Sequence, residues 1–185
     1  MRVIGGKFKR SNLIGPGRKN MSIRATYDRV RENVFNLIGP MEGKSFLDLY
    51  GGSGSVGIEA LSRGARTAVF VDNQPESVRL IRKNLESLNI SDRADVIRMD
   101  VRSYLRQPPR PERFDVVFID PPYNTDLFEE TMRLLGRGNL LAIDAKIIGQ
   151  HGKSPEKMEI VSFTCNDLRK YGRSWVSLWS YKQKG

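Results

Sequence analysis

Four short apolar runs alternate along the chain with segments of helical pattern, and an aspartate lies at or directly after the end of each run. The runs are Ser45–Tyr50, Thr67–Val71, Ala94–Met99 and Phe114–Ile119, and the aspartates are Asp48, Asp72, Asp100 and Asp120. This alternation predicts an α/β fold with a mostly parallel sheet and helices on both faces. Because parallel strands bring their carboxyl ends to one edge, the four aspartates are predicted to line one ligand crevice. Taken singly, each aspartate would be explained as a helix cap.

The turn after the fourth run reads Asp120-Pro121-Pro122-Tyr123. Consecutive prolines make a stiff turn and remove two N–H donors, so the turn offers a carboxylate and carbonyl oxygens as acceptors. The ring of Tyr123 adds a flat surface on which a planar substrate can stack. We therefore predict a catalytic site for a planar amine such as the exocyclic NH2 of a nucleobase, with Asp120 and the Pro121 carbonyl accepting its hydrogens. The alternative is a proline-rich turn with only a structural role.

A glycine-rich turn follows the first apolar run. It reads Gly51-Gly52-Ser53-Gly54 and leads into a predicted helix from Val56 to Arg63. Glycines let the backbone pass close beneath a ligand, and the start of the helix offers free N–H groups. The absence of a Walker lysine argues against a phosphate cradle.

The remaining aspartates are placed to hold a nucleoside. Asp72, which is followed by Asn73, lies 24 residues after Asp48, a spacing at which an acid can accept both hydroxyls of a ribose. Asp100 and Val101 follow the third run, where a side-chain acceptor could meet an adenine amino group. An acid-lined crevice suits a cationic, nucleoside-bearing cofactor better than a pyrophosphate-bearing one.

The charge of the chain favours a polyanionic partner. The 185 residues contain 31 Lys and Arg against 21 Asp and Glu, for a net charge of +10. A generally basic soluble surface would explain this equally well, but the positive charges cluster near the amino terminus. The first 24 residues contain no acid and carry Arg2, Lys7, Lys9, Arg10, Arg18, Lys19 and Arg24.

Several classes of protein are disfavoured by composition. The chain shows no signal peptide and no apolar stretch near 18 residues, so we expect a soluble, cytoplasmic protein. The single Cys165 cannot form an internal disulfide, and with the single His151 it cannot build a Cys/His zinc site. We expect no metal and interpret both residues as structural or incidental.

The chain is predicted to consist of an amino-terminal appendage, residues 1–40, and a catalytic domain, residues 41–185. The appendage should contain a small strand pair around Val3 and Phe8, a loop from Asn12 to Asn20, and a helix from Asp28 to Ile38 capped by Thr26 or Asp28. It is too short to bury a core of its own, so we expect it to pack on the domain and to form a lid.

The carboxyl-terminal half is predicted to complete the sheet. We expect a fifth strand over Asn139–Asp144, a loop over Ala145–Lys157, and a final hairpin turning around Asp167–Arg173. The remaining predicted elements are helices over Pro75–Leu88 and Leu127–Leu135 and strands over Met158–Phe163 and Ser174–Tyr181. Trp175 and Trp179 share one face of the last strand and are expected in the core.

Together these motifs resemble a class I S-adenosylmethionine-dependent methyltransferase. The segments Val3-Ile-Gly-Gly-Lys7, Arg24-Ala-Thr-Tyr-Asp28-Arg-Val-Arg-Glu32 and Glu59-Ala-Leu-Ser-Arg-Gly-Ala65 resemble, more narrowly, the RsmD family of 16S rRNA guanine-N2 methyltransferases. The resemblance covers nearly the whole chain. It implies a Rossmann-like, seven-stranded sheet with an antiparallel last strand, S-adenosylmethionine as cofactor, and 16S rRNA in a partly assembled small subunit as substrate for a monomeric enzyme.

The resemblance also implies residue roles. The cofactor would be bound by Thr26, Asp48, Tyr50, Gly51, Gly52, Ser53, Gly54, Asp72, Asn73, Asp100 and Val101, and the RNA by Lys7, Lys9, Arg10, Arg24, Pro122 and Tyr123. The chain departs from the family pattern at Ala25-Thr26-Tyr27, at Tyr50-Gly51 and at Asp144-Ala145. Of these departures, Tyr50 would alter the pocket for the methionine part of the cofactor.

Other functions fit parts of the pattern. Adenine-N6 methylation of DNA uses the same acceptor turn, but only residues 1–40 stand outside the predicted core, which is too little for a sequence-specific DNA recognition element. Glutamine-N5 methylation of protein usually has Asn in place of Asp120. A non-catalytic RNA-binding protein on the same fold is the alternative from outside the enzymes.

Overall fold

The computed structural model describes residues 1–15, 21–110, 112–123, 125–153, 158 and 160–181, except for the side chains of residues 21–27. Their central feature is a seven-stranded sheet in the order β3-β2-β1-β4-β5-β7-β6. The strands are β1 Ser45–Leu49, β2 Thr67–Asp72, β3 Ala94–Arg98, β4 Phe114–Ile119, β5 Leu141–His151, β6 Phe163–Tyr171 and β7 Ser174–Tyr181. The helices are α1 Met21–Ile38, α2 Ser55–Ser62, α3 Pro75–Ser87, α4 Val101–Arg106 and α5 Leu127–Arg137, with a 3₁₀ turn at Ser91–Arg93.

The sheet is parallel except at one strand. β1 pairs in parallel with β2 and β4, β2 with β3, and β4 with β5. β7 pairs antiparallel with both β5 and β6. The predicted α/β class, the seven strands and the antiparallel last strand are thus confirmed.

Two apolar clusters cover the two faces of the sheet. On one face α1, α2 and α3 pack through residues such as Phe35, Ile58 and Ile81 against Phe46 and Phe70 of the sheet. On the other face α4 and α5 contribute, among others, the buried residues Val101, Tyr104, Phe128, Met132 and Leu135. Alternate residues of the central strands point to opposite faces, so each strand stabilises both clusters.

The amino-terminal segment packs on the first of these clusters. Residues Arg2 and Asn12 form a single antiparallel bridge, in the place of the predicted strand pair. Val3 and Leu13 are buried in the same cluster as α1 and α2. Within the described residues the segment is therefore part of a shared core, and its action as a lid stays a proposal.

The helix α1 begins earlier than predicted. It starts at Met21, so Thr26 and Asp28 lie inside it and neither caps it. No Gly or Pro occurs between residues 21 and 38, so nothing in this stretch interrupts the helix. Asp28 instead pairs with Arg31 at 2.9 Å. The helix ends where the Lys146 ammonium donates to the Ile38 carbonyl at 2.8 Å, a favourable position for a cation.

The strands of the carboxyl-terminal half also differ from prediction. β5 continues to His151, through the segment predicted as a loop. β6 runs over Phe163–Tyr171, where the hairpin turn was expected, and the turn falls at Gly172 and Arg173. Trp179 is buried as expected, whereas Trp175 is only half-buried. In the described part of the chain no helix is both long and apolar enough to span a membrane.

Candidate active site

The acceptor turn lies where β4 ends, at the carboxyl edge of the sheet. Asp120 is half-buried, Pro121 is buried, and Pro122 and Tyr123 are exposed. The Thr125 hydroxyl donates to the Pro122 carbonyl at 2.7 Å, which closes the turn. Among the described residues no donor contacts the Asp120 carboxylate or the Pro121 carbonyl. The Asp120 carboxylate is therefore available to a ligand, and the Pro121 carbonyl has no hydrogen-bond partner within these residues.

Burial changes the acid strength of Asp120. It raises the pKa of this carboxyl to about 7. A carboxylate without donors in a partly dehydrated site is costly, and this cost favours any ligand that brings donors or positive charge.

Three of the predicted crevice aspartates lie close together. Burial raises the pKa of Asp48 well above its ordinary value, the Gly57 N–H lowers it, and the nearby charges of Asp120 and Asp72 raise it further. In the described residues none of the three carboxylates forms a salt bridge. Such a cluster of acids without a counterion suits a cationic ligand, as expected for a sulfonium.

The glycine turn is held by these acids. The Asp72 carboxylate accepts from the Gly52 N–H at 2.9 Å and from the Gln74 N–H at 2.8 Å. Asp48 accepts from the Gly57 N–H, inside α2, at 2.9 Å. Gly54 has the left-handed φ of 76° and caps α2, a conformation that a residue with a Cβ adopts at a cost. The turn is thus fixed on both sides of its half-buried centre.

Two residues predicted to contact the cofactor, Asp100 and Asn73, already have hydrogen-bond partners within the protein. Asp100 caps α4 by accepting from the Arg102 and Ser103 N–H groups, and it also binds the Arg102 guanidinium at 3.1 Å. The Arg102 hydrogen bond is the largest cause that lowers the pKa of Asp100. For Asp100 the capping role is thus present, and its contact with adenine stays a prediction. Asn73 is exposed and accepts from the Gln74 side chain at 3.0 Å.

Tyr50 turns away from the glycine turn that follows it. Its φ of 64° is left-handed, which reverses the side that alternation along β1 would give. Its hydroxyl lies 2.8 Å from that of Thr131 on α5, so the ring packs with the α5 face of the sheet.

A cavity of about 270 Å³ adjoins the acceptor turn. Its volume is just below the usual range of about 300–1,000 Å³ for small-molecule pockets. Pro121, Pro122 and Tyr123 line it on one side, and Phe128, His151 and Gly152 are among its other walls. His151 and Gly152 were not predicted as site residues, because their segment was expected to form a loop. The Gly-Gln-His-Gly stretch is their only signal in the sequence.

His151 is a buried structural residue at this wall. Its Nδ1 lies 2.7 Å from the Lys153 carbonyl and its Nε2 lies 2.7 Å from the Ser177 hydroxyl. The imidazole lies 4.4 Å from the Phe128 ring, centroid to centroid. Burial lowers the pKa of His151, which favours a neutral ring at physiological pH.

The basic residues predicted to bind RNA lie apart from the acceptor turn. Lys7, Lys9 and Arg10 are exposed. The Lys7 N–H donates to the Ser62 carbonyl at 2.7 Å, at the end of α2 that is remote from the glycine turn by about 12 Å. The side chains of Arg24 and Thr26 lie outside the described residues, as do the whole of Arg18 and Lys19.

Metal ligation finds no support in the described part of the chain, where no cluster of three or more His, Cys, Asp or Glu side chains could hold an ion. Cys165 is exposed and free.

Comparison with known proteins identifies the relatives of this chain. The family model described as Conserved hypothetical protein 95 matches residues 1–180. The Bacillus subtilis protein YlbH is 35% identical over 188 residues, covering all of both chains. The Haemophilus influenzae protein named Ribosomal RNA small subunit methyltransferase D is 38% identical over 149 residues, which are 80% of this chain and 76% of the relative.

A solved structure shares the fold over the full length. The Escherichia coli protein yhhF superposes with a TM-score of 0.86 at 30% identity, covering 100% of this chain and 99% of that one. The acid-lined crevice, the free acceptors after β4 and these full-length similarities agree with one another. The chain belongs to the RsmD family of class I, S-adenosylmethionine-dependent methyltransferases.

Proposed function

We propose that this protein methylates the exocyclic N2 of a guanine in 16S rRNA. The observation that carries the proposal is the pair of unpartnered acceptors, the Asp120 carboxylate and the Pro121 carbonyl, beside a cavity with aromatic walls. The guanine amine donates two hydrogens, and its lone pair is delocalised into the ring. Acceptors aimed at those hydrogens free the lone pair for attack and stabilise the positive charge that builds on the nitrogen.

The methyl donor would lie between the glycine turn and the acceptor turn. When bound, S-adenosylmethionine supplies an electrophilic methyl group on a sulfonium. Asp48 and Gly51–Gly54 would hold its methionine part, Asp72 its ribose, and Asp100 with the Val101 backbone its adenine. The neighbouring carboxyl groups of Asp48 and Asp72, which would touch the donor, favour the cation electrostatically. Holding amine and donor in line can contribute about 7–11 kcal/mol to the rate.

The target base would leave its stack to reach the site. Tyr123 is 44% exposed and presents a ring on which an extruded base can stack, which contributes about 1–3 kcal/mol against an unstacking cost of a few. Asp120 acts as a hydrogen-bond acceptor in this proposal. It need not be a strong base, because the amine becomes acidic only after methylation.

Two observations support rRNA as the polyanion. The net charge of +10 and the exposed Lys7, Lys9 and Arg10 favour phosphate binding. The relative from Haemophilus influenzae is named as a small-subunit rRNA methyltransferase. We place the reaction in the cytoplasm, on a partly assembled small subunit, with the enzyme as a monomer.

The proposal is tested by offering three substrates with labelled S-adenosylmethionine. These are small ribosomal subunits from cells that lack the enzyme, naked 16S rRNA, and duplex DNA. We expect label in rRNA, and mass spectrometry of the nuclease digest should find N2-methylguanosine at one position. Label only in DNA would support adenine-N6 methylation instead, and binding of the donor without any transfer would support a non-catalytic RNA-binding protein.

The activity should depend on the ionisation of Asp120. Burial raises the pKa of this carboxyl to about 7, and only the ionised form is a full acceptor. The value of kcat/KM for the methyl donor, which reports the free enzyme, should therefore rise about tenfold per pH unit below pH 7 and level off above it. A pH–rate profile between about pH 5.5 and 8.5 measures this. A flat profile would remove Asp120 from the role of ionised acceptor.

The exposed amino-terminal cations should contribute to RNA affinity through phosphates. Replacing Lys7, Lys9 and Arg10 by Ala should weaken rRNA binding and reduce the slope of log K against log salt by up to about 2, at roughly 0.7 per lost phosphate contact. Filter binding at several salt concentrations measures the slope.

A matched control removes three exposed arginines from other parts of the surface. Arg113, Arg133 and Arg137 lie before β4 and on α5, outside the amino-terminal cluster. Their replacement lowers the net charge equally, so it should leave the slope nearly unchanged. Equal losses in both variants would mean that net charge alone governs binding, and an unchanged slope in the first would place the RNA surface elsewhere.

A further inference from the structure

The hydroxyl of Tyr123 takes part in two hydrogen bonds to the sheet. The Gln150 side-chain N–H donates to it at 2.8 Å. The Ser174 hydroxyl lies 2.9 Å from it. Gln150 belongs to β5 and Ser174 begins β7, so two neighbouring strands hold the tip of one exposed aromatic side chain.

The body of the same ring is supported by backbone. A Cβ added to Gly152 would lie 3.4 Å from Cδ1 of Tyr123, which is ordinary van der Waals contact. Gly152 follows directly on β5, so the strand that supplies Gln150 also brings this backbone against the ring. The tip of Tyr123 is thus fixed and its ring lies beside the Gly152 backbone, while 44% of the residue remains exposed.

Gln150 is a buried polar residue at the edge of the cavity. Only 6% of it is exposed, and burying an amide is costly unless it is hydrogen-bonded. Its bond to Tyr123 satisfies the amide and at the same time orients the ring. A phenylalanine at position 123 would offer the same stacking surface, but it would lack the atom through which the two strands hold it.

We propose that Gln150 and Ser174 are positioning residues, which act through the Tyr123 hydroxyl to hold its ring in the orientation on which the target base stacks. This rests on the proposed function, since it assumes that Tyr123 receives a planar base. An exposed tyrosine that is free to change rotamer must be ordered at each encounter, whereas a ring already fixed loses less freedom on binding. The antiparallel pair of β5 and β7 thereby contributes to a site whose other residues lie at the ends of parallel strands.

A set of variants measured on the RNA substrate tests the proposal. Gln150→Leu and Ser174→Ala should each lower kcat/KM for RNA roughly three- to tenfold, as expected for loss of one hydrogen bond, and Tyr123→Phe, which removes both bonds, should lower it at least as much. Tyr123→Ala removes the ring and should cost more than any of them. Thermal unfolding of each variant shows whether it folds, and Ser174→Thr, which keeps the hydroxyl, should restore activity if Ser174→Ala loses it.

Non-additivity separates positioning from a general loss of structure. If both residues act through the hydroxyl, then Gln150→Leu and Ser174→Ala should have little further effect in the Tyr123→Phe background. Additive losses would overturn the proposal, as would a Tyr123→Phe enzyme equal to the wild type. Ser180→Ala, at the other end of β7, is the matched serine control and should match the wild type.

The same variants distinguish this proposal from the proposed function. If wild-type protein transfers no methyl group to rRNA, or if Tyr123→Ala leaves kcat/KM for RNA unchanged, the stacking role itself fails. If Tyr123→Ala is impaired while Gln150→Leu, Ser174→Ala and Tyr123→Phe are all normal, the ring is required and only the positioning role is wrong.

Discussion

Replacing Asp120 with Asn or Ala should lower kcat about 10²–10³-fold while the Kd for S-adenosylmethionine changes little. The expected loss corresponds to removal of one preorganised group that stabilises charge in the transition state. Asp120 is half-buried and has no hydrogen-bond donor among the described residues, so its substitution disrupts no contact that supports the fold. Single-turnover methylation of rRNA measures the rate, and calorimetric titration measures donor affinity.

The two measurements together decide the role of Asp120. Loss of turnover with donor affinity kept supports an acceptor for the substrate amine, whereas loss of both would make Asp120 a structural residue of the donor site. Asp92→Asn, in the exposed 3₁₀ turn before β3, is a matched control for loss of one carboxylate and should have neither effect.

The same substitution should stabilise the free protein at high pH. Burial raises the pKa of Asp120 from 3.8 to about 7, so between about pH 4 and pH 7 the folded state binds more protons than the unfolded state. Stability contributed by this group therefore falls as pH rises through that window. A rise of roughly three in pKa corresponds to at most about 4 kcal/mol, and partial solvation of the carboxylate reduces this.

We therefore expect Asp120→Asn to raise the free energy of unfolding by about 1–3 kcal/mol at pH 8 and to have little effect below about pH 4. Denaturant titrations at the two pH values test this. A variant that loses stability at pH 8 would show that the ionised Asp120 carboxylate does not destabilise the folded state. Asp120 would then be a residue that supports the fold.

The central strands could be predicted from sequence because local pattern and final environment agree. The runs that become β1, β2 and β4 are buried on both faces, so they are mostly apolar and end at recognisable turns. The short helix α4 was not predicted, because six residues carry too little periodicity and its start depends on the Asp100 cap.

The carboxyl end of β5 could not be predicted, because its polar residues find partners only in the folded chain. Gln150 binds Tyr123, and His151 binds Ser177 on β7. Gly149 looks like a loop residue, yet a Cβ there would lie 2.2 Å from the Phe128 ring, so the position requires glycine within the strand. β6 is an edge strand with many exposed residues, and such strands lack clear alternation.

The residues of the candidate site were also predictable in one part of the sheet and unpredictable in another. The acids and glycines on the parallel strands could be predicted, because strand ends meet at one edge whatever their distance in sequence. The residues that surround Tyr123 could not, since they come from β5 and β7, an antiparallel pair whose register depends on tertiary pairing. Asp100 shows that an acid at a strand end can serve as a cap while it lies beside a predicted ligand site.

Glu59 lies at the centre of the contact between the first residues of the chain and α2. It is fully buried, and its carboxylate accepts from the Ile4 N–H at 2.8 Å and the Gly5 N–H at 2.7 Å. It also accepts from Arg63 Nε at 2.7 Å and lies 3.8 Å from Arg31 Nε. A single side chain on α2 thus holds the backbone of the first residues and neutralises the buried Arg31.

Replacing Glu59 with Ala should therefore lower the free energy of unfolding by about 3–5 kcal/mol, because it leaves two backbone N–H groups and Arg63 Nε without their acceptor and leaves the buried Arg31 with Asp28 as its one nearby carboxylate among the described residues. For a chain of this size the loss corresponds to a fall in Tm of roughly 8–16 °C. Hydrogen exchange should also quicken at Ile4 and Gly5. Glu76→Ala is the control, since Glu76 binds Arg79 at 2.7 Å on an exposed helix face, where solvent screens the pair, and its loss should change stability little. An equal fall in the free energy of unfolding in the two variants would show that the buried contacts of Glu59 contribute nothing to stability.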